Sequence, residues 1–272
     1  MIRRFGAWPA WLFMALFLAV PLLALVPEAG ASGGAAWGAV WVDPQFMVAL
    51  RNTLLLGAVS GLVSAMVGTV IAIELARQPH NRRQVMLALL GLPLAFSGLV
   101  IAYGFILAFG RAGFVTQLLG LAGGDTAAIG GWIYSVGGLA LAYAYYLIPR
   151  VALTLTPVFV NLDTAPTNAA RTLGATRWQA WLHTVLPEVA PALASSAFFV
   201  AAIAMGTYGT ALALVGTQLN ILPLMLLSKV SDGGSDFPAA AAMSLILMAV
   251  CTLVLGVGES FTRKHGGVHG SR

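Results

Sequence analysis

The chain has 272 residues, 59% of them hydrophobic and only 8% charged, with a mean hydropathy of +0.89. A soluble domain carries about a quarter charged residues and a disordered chain lacks apolar ones, so both classes are excluded. The net charge of +5 would suit a nucleic-acid partner only if the basic residues formed one face, and they do not.

A membrane-spanning helix takes about 20 predominantly apolar residues. Six runs qualify in chain order, at roughly 9–26, 50–76, 85–109, 130–157, 188–215 and 238–257. Backbone polar groups in lipid must be satisfied within their own segment, so these runs predict helices. The expected fold class is an all-α integral membrane protein with six transmembrane helices. Arg3, Arg4, the first run and Ala29-Gly30-Ala31 also fit a secretory signal with a small-residue cleavage site. The length of that run, with Trp8 and Trp11 at an interface, favours a retained span.

In the second run Gly57 and Gly61 form a GxxxG pair near Ser60, Ser64 and Gly68, which predicts close helix packing. Glu74 precedes Arg77 by three residues and predicts an ion pair on one helical face. Ser97, Tyr103, Thr207, Tyr208 and Thr210 are polar groups inside apolar runs and are candidates for the lining of a pathway. Tyr143, Tyr145 and Tyr146 are read as including interface anchors. Cys251 is the single cysteine and cannot form an intrachain disulfide. His265 and His269 lie in a Gly-rich tail read as disordered, so no metal site is assigned to them.

Six spans put both termini on one side. With the N-terminus inside, the inner segments hold Arg3, Arg4, Arg77, Arg82, Arg83, Arg150, Arg171, Arg177, Arg263, Lys264 and Arg272. Only Arg51, Arg111 and Lys229 fall outside. This asymmetry is a positive-inside signal placing both termini in the cytoplasm, and it accounts for the basic composition without nucleic acid. The outer loops, each about twenty residues, are too short for a substrate-capturing domain of roughly 50 residues.

The longest polar excursion, 158–187, contains DTAPTNAARTLGATRWQAWLHTVLP. Thr164 is placed to cap a helix with Pro166 in its first turn, and Gly174 supplies a left-handed stop. Thr176 with Gln179 forms a capping-box pattern that restarts a second helix. Trp178, Trp181, Leu182 and Val185 recur at helical spacing and predict one apolar face. The local alternatives are an interfacial helix on lipid headgroups and a docking knob for a cytoplasmic partner.

Asn168-Ala169-Ala170-Arg171-Thr172-Leu173-Gly174-Ala175, then Trp178 and Val185-Leu186-Pro187, resembles the EAA loop of binding-protein-dependent ABC importer permeases. Ala169, Ala170, Gly174, Leu186 and Pro187 match its spacing, while Asn168 stands where glutamate is usual. Asn52-Thr53-Leu54-Leu55-Leu56 and Ala76-Arg77 are similar to the opening and inner end of the permease core. Gly206-Thr207-Tyr208-Gly209 resembles a segment of iron, thiamine, polyamine and sulfate-type permeases.

The resemblance implies the type I importer architecture, with the loop as a coupling helix on a cytoplasmic ATPase dimer. It also implies a second permease subunit, identical or homologous, and an external solute-binding protein. ATP and magnesium would then be used by the ATPase, with no cofactor held by this chain. Neither lysine, Lys229 or Lys264, follows a Gly-rich run, which agrees with the absence of a P-loop. The organisation expected is an N-terminal helix and outer loop (1–48), a permease core (49–258) and a disordered cytoplasmic tail (259–272). The solute type expected is polyamine, iron, thiamine or organophosphonate. A secondary transporter or channel, the alternative, would need ionisable groups near mid-membrane, and a membrane enzyme would need paired acids or nucleophile–base clusters.

Overall fold

The computed structural model describes residues 8–216, 219–231 and 236–266. Among them, six helices are long and apolar enough to cross a bilayer: Trp11–Gly30, Pro44–Arg77, Gly98–Leu121, Val136–Val160, Arg177–Gly206 and Phe237–Phe261. They are taken below as the first to sixth spans, the third being made of two helices, Gly98–Phe109 and Phe114–Leu121. No strand occurs among the described residues.

Two of the expected runs are broken by backbone chemistry that hydropathy does not register. The run at 85–109 splits into a helix His80–Gly91, a tight turn Leu92–Ala95 and the start of the third span at Gly98. Pro93 lacks the N–H needed to continue the ladder, and Phe96 and Ser97 adopt extended backbone. The Ser97 hydroxyl then accepts from Val100 N at 3.4 Å and caps the new helix. The run at 188–215 also divides, because Thr207 is extended and a short helix Gly209–Val215 follows. The sixth helix runs on to Gly266, so residues 259–266 are helical rather than part of a disordered tail. No glycine or proline interrupts 259–265, and Phe261 stacks on Phe198 with ring centroids 6.3 Å apart. The remainder of that tail, with His269, lies outside the described residues.

The chain divides into two compact units, residues up to 52 with 220–250, and 53–219 with 251 onward. In the first, Phe46, Val40, Leu222 and Met243 form a buried core, with Trp41 edge-on to Phe46 at 5.5 Å. Two side-chain amides tie it together. Asn52 Nδ2 donates to Asn220 O and Asn220 Nδ2 donates to Gln45 O, each at 2.9 Å.

In the second unit the fourth span is innermost, burying Leu139, Ala142, Tyr143, Leu147, Val151 and Leu155. The GxxxG pair packs as its spacing implies. A Cβ on Gly57 would stand 2.5 Å from Met205 Cγ, and one on Gly61 would stand 2.9 Å from Ala201 Cβ and 3.0 Å from Ala197 O. The absent side chains are what let the second and fifth spans approach. Glu74 and Arg77 form the expected ion pair at 2.6 Å, but both side chains are exposed and the pair contributes little to stability.

Gly61→Leu is expected to destabilise the detergent-solubilised protein by about 1–3 kcal/mol or more through overpacking. Gly104→Ala, where a Cβ meets open space, should leave the unfolding midpoint unchanged or raise it. Thermal unfolding followed by fluorescence compares the two.

Candidate functional site

The polar loop is held by helix-end chemistry at every turn. Its first helix, Ala165–Thr172, carries Pro166 near its start. The cap differs from the expected one. Thr164 makes no side-chain cap bond, and Asp163 Oδ1 instead accepts from Ala165 N at 2.9 Å. The C-terminus is a complete Schellman motif, with Ala175 N donating to Ala170 O at 3.0 Å and Gly174 N to Arg171 O at 3.1 Å. Gly174 has φ of +94°, and a Cβ there would meet nothing within 4 Å. Backbone conformation, not space, therefore requires glycine.

The capping box forms at once: Gln179 N donates to Thr176 Oγ1 at 3.2 Å, and Thr176 N to Gln179 Oε1 at 2.9 Å. No second break follows. The helix continues from Arg177 to Gly206, so Leu186 and Pro187 lie inside the fifth span rather than at its entry. Continuity is kept by a π-turn over Trp181–Val185, in which Leu186 N bonds Trp181 O. The wider turn accommodates Pro187, whose ring and missing N–H would otherwise break the ladder. It also rotates the expected apolar face. Ala180 and Val185 are buried, Trp181 and Leu182 half-buried, and Trp178 exposed.

A hydroxyl chain fastens the loop helix to the fifth span. Thr184 Oγ1 donates to Ala180 O at 2.6 Å, which leaves Thr167 Oγ1 to donate to Thr184 Oγ1 at 2.8 Å. Trp178 and Trp181 stack with centroids 5.6 Å apart and planes 9° from parallel. Leu173 is 89% and Trp178 66% exposed, and Asn168, Ala169 and Arg171 are exposed beside them. An open groove of about 570 Å³ runs between Asn168, Arg171 and Thr172 on one wall and Gly174 to Arg177 on the other. Leu173 and Trp178 stand as apolar knobs on this loop, and the groove is lined by two arginines and no acidic residue, which suits a partner with a pocketed, acidic face.

Within the spans, the candidate lining residues separate into two groups. Tyr103 and Tyr208 are exposed on the protein surface. Thr207 and Thr210 meet the start of the third span at Gly98, and Ser97, one residue earlier, is exposed and caps that helix. The Thr210 hydroxyl and the Thr207 methyl both lie in contact distance of a Cβ on Gly98. Thr207 Oγ1 donates to Ile203 O at 2.7 Å, and its carbonyl, freed by the break in the fifth span, accepts from Tyr143 Oη at 2.7 Å. Tyr143 and Tyr146 are therefore interior groups and not interface anchors, and only Tyr145 of the three is exposed. Arg150, counted by charge among the inner segments, sits within the fourth span ten residues before its end. Tyr146 and Arg150, which sequence reasoning did not assign here, line one cavity with Gly98 and Thr207, and their i, i+4 spacing inside one apolar helix was the available signal. Among the described residues no three His, Cys, Asp or Glu side chains are grouped to hold a metal. The His265 side chain lies outside the described set.

Six helical spans, two of them bounded by breaks in the main chain, and a rigidly capped polar loop define a membrane transport subunit rather than a soluble catalyst. The chain belongs to the family described as "Binding-protein-dependent transport system inner membrane component", whose model matches residues 64–265. It is thus a multi-pass inner-membrane permease subunit of an ABC importer, not an enzyme, and its partners are those of the family: a solute-binding protein, an ATPase and a second permease subunit.

Among curated relatives, it is 31% identical over 247 residues to the sulfate transport system permease protein CysT of Escherichia coli, covering 90% of this chain and 86% of that one. It is 26% identical to the molybdenum transport system permease protein ModB of Mycobacterium tuberculosis, covering 92% and 94% respectively. In fold it matches a chain of a bacterial alginate ABC transporter crystallised with its alginate pentasaccharide-bound periplasmic protein. The TM-score is 0.72 at 17% identity, over 94% of this chain and 92% of that one.

Thr176→Ala removes the capping box and is expected to cost about 1 kcal/mol locally. Faster amide hydrogen exchange over residues 177–182, with the fourth span unchanged, is the expected observation.

Proposed function

We propose that this subunit forms half of an import path for a tetrahedral oxyanion of the sulfate or molybdate class. The similarity to sulfate and molybdenum permeases over nine-tenths of the chain carries this reading. It directs the solute away from the polyamine, iron, thiamine and organophosphonate types. Both termini lie in the cytoplasm in this reading, in keeping with the excess of arginine in the inner segments.

The coupling element is the loop from Asn168 to Pro187, with Leu173 and Trp178 seated in the ATPase partner. Their exposure, Leu173 at the end of the loop helix and Trp178 in the first turn of the helix that leads into the fifth span, supports this role. Asn168 offers a neutral hydrogen bond where glutamate would offer an ion pair, while Arg171 supplies charge to an acidic partner face. The Ala169-Ala170 pair keeps the helix narrow enough to enter a cleft. Gly174 fixes the angle between the loop helix and the span.

Two measurements test the proposal. Leu173→Asp with Trp178→Ala is expected to reduce co-purification of the ATPase at least about tenfold, the loss of two apolar anchors of hot-spot size. Undiminished co-purification would remove the loop from the coupling role. Uptake of labelled sulfate and molybdate by cells lacking their own permeases, supplied with the complete transporter, tests the solute class. Absence of both uptakes overturns it.

A further inference from the structure

A cavity of about 170 Å³ lies beside the break between the tight turn Leu92–Ala95 and the third span. Its polar wall consists of Arg150, Tyr146, Thr207 and the backbone at Gly98. Three features there are unusual for the interior of a membrane protein. The Arg150 guanidinium has no hydrogen-bond or ion-pair partner among the described residues, and no acidic side chain lines the cavity. Tyr146, only 8% exposed, faces the Thr207 and Thr210 hydroxyls but meets hydrogen-bond geometry with no protein group. Thr210 Oγ1, fully buried behind Gly98, is likewise unpartnered.

Each feature is costly in isolation. An arginine within a span is expensive unless something neutralises it, and buried hydroxyls are normally satisfied. The start of the 12-residue helix Gly98–Phe109 adds donors of the same sign. Ser97 Oγ takes the N–H of Val100, leaving Gly98 and Leu99 at the positive end of the helix dipole without intrahelical acceptors. Arg150, Tyr146 and Gly98 line one space, and no acidic side chain lines it with them. That arrangement is complementary to a small, multiply charged oxyanion and hostile to a cation. The cavity is large enough for such an ion with some of its water.

We propose that this cavity is a transit site for the oxyanion, with Arg150 supplying charge and Tyr146 Oη and Gly98 N–H supplying direction. The inference rests on the oxyanion reading of the function. It goes beyond it by placing selectivity inside this subunit, in addition to the external binding protein. The Ile203 carbonyl already holds the Thr207 proton, so Thr207 offers the ion no donor and instead shapes the wall.

The test is labelled sulfate uptake by the complete transporter in cells without their own sulfate permease, with co-purified ATPase as the measure of assembly. Arg150→Gln at wild-type assembly is expected to lower uptake about tenfold or more, the scale of one charged hydrogen bond, and Arg150→Lys to recover most of it. A structural role alone would not be restored by charge. Tyr146→Phe, which removes only a hydroxyl, should raise the KM for sulfate about threefold or more. Should Arg150→Gln fail to assemble, the phenylalanine variant decides. Wild-type uptake and KM in the assembled variants overturn the transit site while leaving the oxyanion importer standing. No uptake of sulfate or molybdate by the unaltered transporter overturns the oxyanion reading and the transit site together.

Discussion

Every feature of this subunit answers to one constraint: in an apolar medium a backbone N–H or C=O must find its partner inside the protein. Continuous helices meet it automatically, and most of the spans do so. Where the fifth span unwinds at Thr207, the constraint becomes local and visible. The carbonyl released there is taken by the hydroxyl of Tyr143 from the neighbouring span. That bond is why a tyrosine is buried in the innermost helix, and it stabilises a break that a bilayer would otherwise forbid. The opening of the third span obeys the same rule through Ser97 and leaves further donors facing the cavity. Irregular backbone within a span is tolerated where it is buried in protein or lines a cavity, and here Tyr143 covers the Thr207 carbonyl while Gly98 and Thr207 line a cavity.

The loop outside the spans solves the complementary problem. A short helix in water has little to hold it, since nucleation is costly and few apolar contacts are available. Asp163, the Schellman bonds, the capping box and the Thr167–Thr184 contact compensate one end at a time. The result is a polar element whose geometry is set locally, free to expose Leu173 and Trp178 without collapsing around them.

Features governed by neighbours along the chain are legible in the sequence. The Gly174 stop, the Thr176–Gln179 box and the Glu74–Arg77 pair depend on local spacing, and the chain shows them directly. The six spans follow from apolar run length. Features governed by partners far away along the chain are not legible in this way. The Tyr143–Thr207 bond joins positions 64 residues apart, and nothing local separates an interior tyrosine from an interface anchor. The breaks at 92–97 and 207 escape because hydropathy measures side chains, whereas Pro93 and Thr207 act through the main chain. Arg150 is hidden for a related reason. A charge near a span end counts as topology in a linear reading, and only the extension of the helix to Val160 shows that it lies well within.

The π-turn at Trp181–Val185 has a mechanical meaning. Because the helix is not interrupted there, the second loop helix and the fifth span form one helical segment of 30 residues, about 45 Å at 1.5 Å per residue. The π-turn, Pro187 and Pro191 are the points where this segment can bend. All of these points lie between Trp178 and Gly206, where the helix ends. Beyond Gly206 the main chain turns extended at Thr207, whose carbonyl is held by the Tyr143 hydroxyl, so the bendable helix and that bond are joined by a single residue step.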